Sequence, residues 1–465
     1  MLFSSIPFLF YFLPCVFVLY FLVPMRWKNT VLLLASLFFY AWGEPKFVVF
    51  MLASIVQGYV LARLVEKYRA DRRRAKLFLT LSLVFSLGLL GYCKYADFFL
   101  SGFNALTGLH IPLLRVALPI GISFYTFQIL SYVVDVYRGD VKAQRNFIDL
   151  AAYVAMFPQL IAGPIVRYSD IASQLEHRTH SLADVAAGAR RFVLGLGKKV
   201  LLANVFYELI TTFKASGDRS VLFYWLYAAA CVLNIYFDFS GYSDMAVGLG
   251  LLFGIRLPEN FNYPYCAASL SAFWRRWHMS LSGWFRDYLH IPLDGNRRGT
   301  LRTMCNKLLV FLATGLWHGN GLTFVLWGLW HGLWSCVETA LHLPKKLERK
   351  WYGHVYTLMV MVFGFALFRA ASPAQGFALW RAMLTGFHAD NVCRAALSAA
   401  LDARNLALCV LALVLCMPAA PALRAKLERL RCAAALRGAL ALLLFLLCLM
   451  TLAANSFQPF IYASF

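Results

Sequence analysis

Runs of mostly apolar residues, each near the length a helix needs to cross a bilayer, recur from one end of this chain to the other. A spanning helix takes about 20 predominantly apolar residues. Runs of that character begin near residues 6, 31, 46, 77, 119, 149, 190, 222, 240, 305, 322, 354, 405 and 433. Several are short or interrupted by Gly and Pro, and irregular backbone at membrane depth must be shielded from lipid. The expected fold is an all-α polytopic membrane protein with roughly ten to twelve crossings plus re-entrant or interfacial helices. Composition points the same way: of 465 residues, 61% are hydrophobic and 14% charged, against about 25% charged in a soluble domain. A soluble fold of this size lacks the interior to hide so many apolar side chains. No repeat, linker or soluble domain interrupts the pattern, so residues 1–465 read as one membrane-embedded domain.

Charge then gives sidedness. Lys and Arg number 44 against 22 Asp and Glu, a net charge of +22. In a soluble protein this would suggest nucleic acid. Here the basic residues cluster between apolar runs, as in cytoplasmic loops that orient a bundle, and no nucleic acid partner is expected. One cluster is Arg63, Lys67, Arg69, Arg72, Arg73, Arg74 and Lys76. A second is Lys345, Lys346, Arg349 and Lys350, and a third Arg424, Lys426, Arg429 and Arg431. The eleven cysteines form no C-x-x-C pair and mostly sit inside apolar runs, so they read as small packing residues rather than a disulfide or metal framework. The segment from Met1 to Pro24 has no basic n-region or small-residue cleavage site and is expected to stay as a first helix.

The stretch from Ser269 to Arg298 differs from the spans. On a helix at 100° per residue, Trp274, Trp277, Leu281, Trp284, Phe285 and Tyr288 share one face, with Arg275, Arg276, Arg286 and Asp287 opposite. This pattern predicts an amphipathic helix in the membrane interface, its aromatics at headgroup depth. A plain anchor would show the same pattern.

Ionisable groups inside membrane segments are costly and point to function, although a buried histidine can equally be a satisfied structural group. Three Trp-His pairs occur: Trp277-His278, Trp317-His318 and Trp330-His331. His318 lies in Thr314-Gly-Leu-Trp-His-Gly-Asn-Gly321, between two apolar runs. Its glycines permit close approach of backbone or ligand, which suits a general base at a helix break. On one continuous helix, His318 and His331 would lie about 20 Å apart and face different ways. That lowers His331 as a candidate, although Gly319 and Gly321 make continuity doubtful. His278, beside Arg275 and Arg276, could offer an imidazole and counter-charge to a phosphate-bearing thioester; the arginines could equally touch lipid phosphates.

Two other polar groups stand out. Asn234, Asp238, Ser240, Ser243 and Asp244 share one apolar run. Carboxylates six residues apart do not share a helix face, and Ser-Gly-Tyr-Ser suggests a break or a tight packing point, so a hydrogen-bonding role is expected there. Gln159, Gly163, Pro164 and Arg167 look like a second broken helix able to line a pocket. No P-loop, G-x-S-x-G elbow, H-E-x-x-H or dinucleotide fingerprint occurs, which disfavours ATP-driven transport and serine-hydrolase chemistry.

Several motifs occur in an order that resembles a known family. They include Phe3-Ser4-Ser5, Phe39-Tyr-Ala-Trp-Gly43, Gly121-Ile-Ser-Phe-Tyr-Thr-Phe127 and Phe157-Pro-Gln-Leu-Ile-Ala-Gly-Pro164. Tyr236-Phe-Asp-Phe-Ser-Gly-Tyr-Ser-Asp244 and Asn260-Phe-Asn-Tyr-Pro-Tyr265 follow. The most specific are Phe273-Trp-Arg-Arg-Trp-His278 and Gly315-Leu-Trp-His-Gly319, and Gln458-Pro-Phe-Ile-Tyr462 closes the series. Over nearly its whole length the chain resembles the membrane-bound O-acyltransferase family, in the branch of alginate and peptidoglycan O-acetyltransferases. Teichoic acid D-alanyl transfer proteins are more distant relatives.

The resemblance implies a multi-helix bundle enclosing a tunnel, with His318 as the characteristic active-site histidine and His278 as the second. Arg275, Arg276, Trp274, Trp317, Asn320 and Gln159 are candidate substrate- or donor-binding residues; Asn320 departs from the Ala common at that position. It further implies acetyl-CoA as donor, no bound cofactor or metal, an extracytoplasmic polysaccharide acceptor, and a periplasmic or surface SGNH-hydrolase-like partner. The expected location is the cell inner membrane. The rivals are D-alanyl, lipid or protein acyl transfer on the same fold, and a transporter, since broken helices with polar midplane groups suit a carrier too.

Overall fold

The computed structural model describes all residues except 216–219, 386, 388–390, 392–394, 396, 399–400, 420, 423–425, 427, 429–431, 455–459 and 461–465. Arg424, Arg429 and Arg431 of the third basic cluster, and Gln458, Pro459, Ile461 and Tyr462, lie outside the described residues. The described residues form helices and no strand, as expected of an all-α membrane protein. Among the described residues, five helical segments are long and apolar enough to cross a membrane: Pro45–Lys67, Arg72–Thr107, Val221–Leu252, Trp351–Phe368 and Ala433–Ala454. Phe8–Leu22 and Ala403–Leu415 are shorter apolar helices. The last long helix turns Leu440, Leu442, Leu443 and Leu446 outward, a surface suited to lipid and too apolar for water. The described cysteines are all free.

The chain divides into two compact units. The first holds Met1–Phe192 and Tyr242–Pro258. Its helices are α1 (Leu13–Leu22), α2 (Lys28–Gly43), α3 (Val48–Lys67), α4 (Arg72–Thr107), α5 (Ile122–Arg138), α6 (Phe147–Ala155), α7 (Phe157–Leu160), α8 (Tyr168–Glu176) and the start of α9 (Leu182–Gly197). Asp71 caps α4 by accepting from the Arg73 and Arg74 amides at 3.1 and 3.2 Å, satisfying donors that a helix start leaves open. At 1.5 Å per residue α4 is about 54 Å long, well beyond the hydrocarbon thickness. In its apolar contact with α3, Gln57 donates to Ser86 at 2.9 Å and accepts from Ser82 at 3.1 Å. The core of this unit is aromatic: Phe3, Phe8, Phe12, Phe39, Phe157 and Tyr242 meet at centroid distances between 4.8 and 6.5 Å.

The helix break expected around Gln159 is present. α6 stops at Ala155, Met156 takes an extended ψ of 113°, and α7 makes a single turn with Pro158 in its first positions, where a proline costs no hydrogen bond. Gly121 adopts φ 77° beneath the Leu160 carbonyl, leaving no room for a Cβ.

The second unit holds Val193–Gly241 and Glu259–Ile461. After α9 the helix widens to a π-turn at Lys198–Ala203, then continues as α10 (Asn204–Ala215). Next come α11 (Val221–Leu252, ending in the first unit), α12 (Leu270–Trp274), α13 (Met279–Phe285), α14 (Gly299–His318) and α15 (Leu322–Ala340). Then come α16 (Leu343–Leu347), α17 (Trp351–Phe368), α18 (Pro373–Thr385), α19 (Ala403–Leu415) and α20 (Ala433–Ala454).

α11 runs unbroken through Ser240-Gly241-Tyr242-Ser243, which is a tight packing point and not a break. A Cβ on Gly241 would lie 2.8 Å from the Gly195 carbonyl oxygen. The acids there are structural. Asp238 pairs with Lys199 of the π-turn at 2.6 Å with both side chains buried, and Asp244 pairs with Arg191 at 2.7 Å. Asn234 donates to the Ala203 carbonyl at 2.8 Å, closing the turn whose wide pitch frees that oxygen.

α14 and α15 form a hairpin brought together by two glycines. A Cβ on Gly315 would collide with the Phe324 carbonyl, and one on Gly328 with the Phe311 carbonyl. Gly328→Val is therefore expected to destabilise the purified protein by about 1–3 kcal/mol through overpacking, read as a lower melting temperature in detergent. Gly88 on α4 has nothing within 4 Å of its would-be Cβ, so Gly88→Ala should raise stability by about 0.5–1 kcal/mol.

Candidate active site

His318 is the last residue of α14, 4% exposed. The chain reverses at Gly319–Gly321 and returns as α15. The His318 ring is enclosed edge-to-face by Trp317 and Trp327, each at 5.0 Å, and by Phe368 at 5.4 Å. A Cβ at Gly319 would strike the Phe324 ring, so the turn that ends α14 at His318 needs glycine for space.

The reversal changes the standing of His331. Instead of lying far along one helix, it sits on the returning helix, and Trp327 touches both histidines, at 5.0 Å from each. His331 also meets Trp274 at 5.2 Å. It is fully buried, and Gly364 of α17 packs so closely that a Cβ there would lie 2.6 Å from Nε2.

His278 reaches the site from a different element. The stretch from Ser269 onward is not one amphipathic helix lying in an interface: it is α12, a turn at Arg275–His278, α13, and a π-turn at Arg286–His290. Trp277, Leu281, Trp284 and Phe285 are buried within the protein. Trp277 packs on Phe261 at 5.1 Å and Phe365 at 5.2 Å. The stripe that reads as membrane-facing by periodicity is a core stripe.

The turn is set by Asn260. His278 takes the left-handed conformation, φ 43° and ψ 54°, which a non-glycine residue adopts only when its surroundings hold it. Two backbone hydrogen bonds do so: the Met279 amide donates to the Asn260 carbonyl and the Asn262 amide to the Arg276 carbonyl, both at 2.9 Å. Asn260 Oδ1 accepts from the Ser280 amide at 3.2 Å and the Ser280 hydroxyl at 2.9 Å, and lies 3.1 Å from His278 Nδ1. An oxygen already accepting from an amide can only accept from the ring, so this network assigns the proton to Nδ1 and a lone pair to Nε2. Nε2 is buried and has no hydrogen-bond partner among the described residues. The ring stacks edge-on against Phe239 at 4.7 Å and Trp317 at 6.0 Å.

Trp317 thus packs against both candidate histidines, 6% exposed. Trp274 ends α12 and reaches Trp327 at 5.8 Å. Arg275 and Asn320 are exposed, and Arg276 is half-buried. Gln159 belongs to the first unit, fully buried, donating to the Tyr153 carbonyl at 2.6 Å. Asn260 and Trp327, which build this geometry, escape sequence reading. Asn260 stands within a quoted motif, but its partner is 18 residues away, and Trp327 meets His318 only because of the hairpin. Asn260→Ala is expected to lower kcat about tenfold by releasing the His278 ring. Asn260→Asp should restore most of it while shifting the acid limb of the rate profile to higher pH, since an anion beside Nδ1 favours imidazolium.

A family model described as the membrane-bound O-acyltransferase family matches residues 140–343. The chain is 43% identical to a protein named probable alginate O-acetylase from Azotobacter vinelandii, covering 83% of this chain and 78% of that one. It is 35% identical to a peptidoglycan O-acetyltransferase of Helicobacter pylori, covering 84% and 81%. It is 29% identical to a teichoic acid D-alanyltransferase of Bacillus subtilis over 54% and 68%. With two buried histidines gathered around one indole in an all-helical membrane chain, these likenesses establish that the chain belongs to the membrane-bound O-acyltransferase family and is an acyltransferase.

Proposed function

We propose that the chain takes acetyl groups from a cytoplasmic thioester donor, acetyl-CoA, and passes them across the cell inner membrane for O-acetylation of an extracytoplasmic polysaccharide, alginate-like or peptidoglycan. The observation that carries this reading is the meeting of His318 and His278 around Trp317 inside one unit, in a chain whose relatives at 35–43% identity are named for O-acetyl transfer.

In the proposed step His318 takes the proton of the accepting hydroxyl as its oxygen attacks the thioester carbonyl. The C–O bond forms, the C–S bond breaks, and the departing thiolate receives the proton from the imidazolium. The lone pair on His278 Nε2 accepts a hydrogen bond from the accepting group and orients it. Arg275 and Arg276 offer counter-charge to donor phosphates, and Trp274, Trp317 and Asn320 line the approach. A separate SGNH-hydrolase-like protein completes delivery to the sugar.

The test is ester-linked acetate on surface polysaccharides of cells carrying the wild type, His318→Ala or His278→Ala at matched membrane expression. Loss of acetate in both variants is expected. Unchanged acetate with D-alanyl ester lost instead would move the donor to an aminoacyl thioester. No change in either ester would take both histidines out of the transfer.

A further inference from the structure

The end of α3 borders a concavity of about 710 Å³ lined by Tyr59, Val60, Arg63, Leu64, Glu66, Lys67 and Arg145. All belong to the first unit, and the acyl-transfer reading uses none of them. Three cations face one carboxylate here. Glu66 is already engaged, accepting from the Ala143 amide at 3.0 Å. Arg63 donates to the Tyr59 hydroxyl at 3.0 Å, and that hydroxyl donates to the Arg145 carbonyl at 2.6 Å. Tyr59 so ties the helix end to the loop carrying Arg145 and holds Arg63 at the rim. None of Arg63, Lys67 and Arg145 makes an ion pair among the described residues. Arg69, Arg72 and Arg73 follow within a few residues.

The other wall is apolar. Val60 is 46% exposed and Leu64 partly so, and both continue the surface of a helix long and apolar enough to cross a membrane. A soluble phosphate ester would match the cations and leave the apolar wall in contact with water. A lipid matches both, because its phosphate meets arginine and lysine at headgroup depth while its chains run along the helix. Uncompensated positive charge at the mouth of a span selects an anionic headgroup over a zwitterionic one.

We propose that this concavity binds an anionic phospholipid, its phosphate held by Arg63, Lys67 and Arg145 and its acyl chains lying against Val60 and Leu64. Each cation contributes about a fivefold gain in affinity, so removing all three weakens binding roughly 100-fold.

The experiment uses the purified full chain in detergent and follows lipid retention by native mass spectrometry together with melting temperature. Phosphatidylglycerol, phosphatidylcholine, inorganic phosphate and coenzyme A are added in turn. Phosphatidylglycerol should be retained and should raise the wild-type melting temperature, and the other three should do neither. R63Q/K67Q/R145Q should lose both effects, the single variants should lose part of them, and V60S/L64S should weaken lipid retention. Should the triple variant fail to fold, the single variants decide. Full retention by all of the charge variants overturns the site. Equal protection by coenzyme A or inorganic phosphate, lost in the same variants and insensitive to V60S/L64S, overturns the lipid assignment in favour of a soluble phosphate ligand.

Discussion

Purified His318→Ala in lipid nanodiscs, supplied with acetyl-CoA and an accepting hydroxyl, is expected to lose at least about 100-fold in kcat, the usual scale for removing a general base. His318 ends α14 within a shell of Trp317, Trp327 and Phe368, and on the proposed mechanism an alanine there removes the group that takes the hydroxyl proton. Because the residue terminates its helix, the substitution adds little backbone strain, and the melting temperature should move by only a few degrees. The measurement is thiol release coupled to ester formation. A variant with wild-type kcat would remove His318 from the chemistry, whereas equal losses of kcat and melting temperature would make it a packing residue.

Glu338→Ala should produce the second large effect, through position and not through contact with substrate. Glu338 is fully buried on α15. It accepts from the Leu270 amide at 2.5 Å, the Ser271 amide at 2.9 Å and the Ser271 hydroxyl at 2.5 Å. These are open donors at the start of α12, and a carboxylate at a helix N-terminus is favoured by the helix dipole. α12 ends at Trp274, four residues before His278. The helix carrying Glu338 also carries Trp327 and His331, which meet Trp274. Truncation leaves one buried and two part-buried donors without this acceptor, at a cost of about 2–4 kcal/mol. The expected result is a clear fall in melting temperature and a kcat reduced tenfold or more, with KM for the donor little changed. Glu338→Gln keeps one acceptor oxygen and should recover part of both. An alanine variant with normal kcat and melting temperature would leave the clamp without consequence.

Much of this protein is legible residue by residue. The apolar runs and the low charge require helices in lipid, because no soluble interior could hold them, and Pro158 with its neighbours announces the break after α6. The paired glycines around His318 mark a place where backbone must come close. Local chemistry suffices for these, since helix length, proline geometry and the space of a missing Cβ are properties of the chain itself.

Partnership is what the fold alone decides. The aromatic stripe from Trp274 to Phe285 has the same 3.6-residue period whether it faces lipid or a protein core, and only packing against Phe261 and Phe365 turns it inward. Asp238 and Asp244 read as hydrogen-bonding groups on different faces of one run, and only the packing shows that each meets a cation, from the π-turn and from α9 respectively. His331 looks remote from His318 by counting along one helix, yet both rings meet Trp327 because the chain reverses at Gly319–Gly321. The proton on His278 Nδ1 follows from an asparagine 18 residues earlier. Sequence periodicity reports which side of a helix is apolar, while the identity of what meets that side depends on contacts between distant segments, and those arise only when the whole chain is packed.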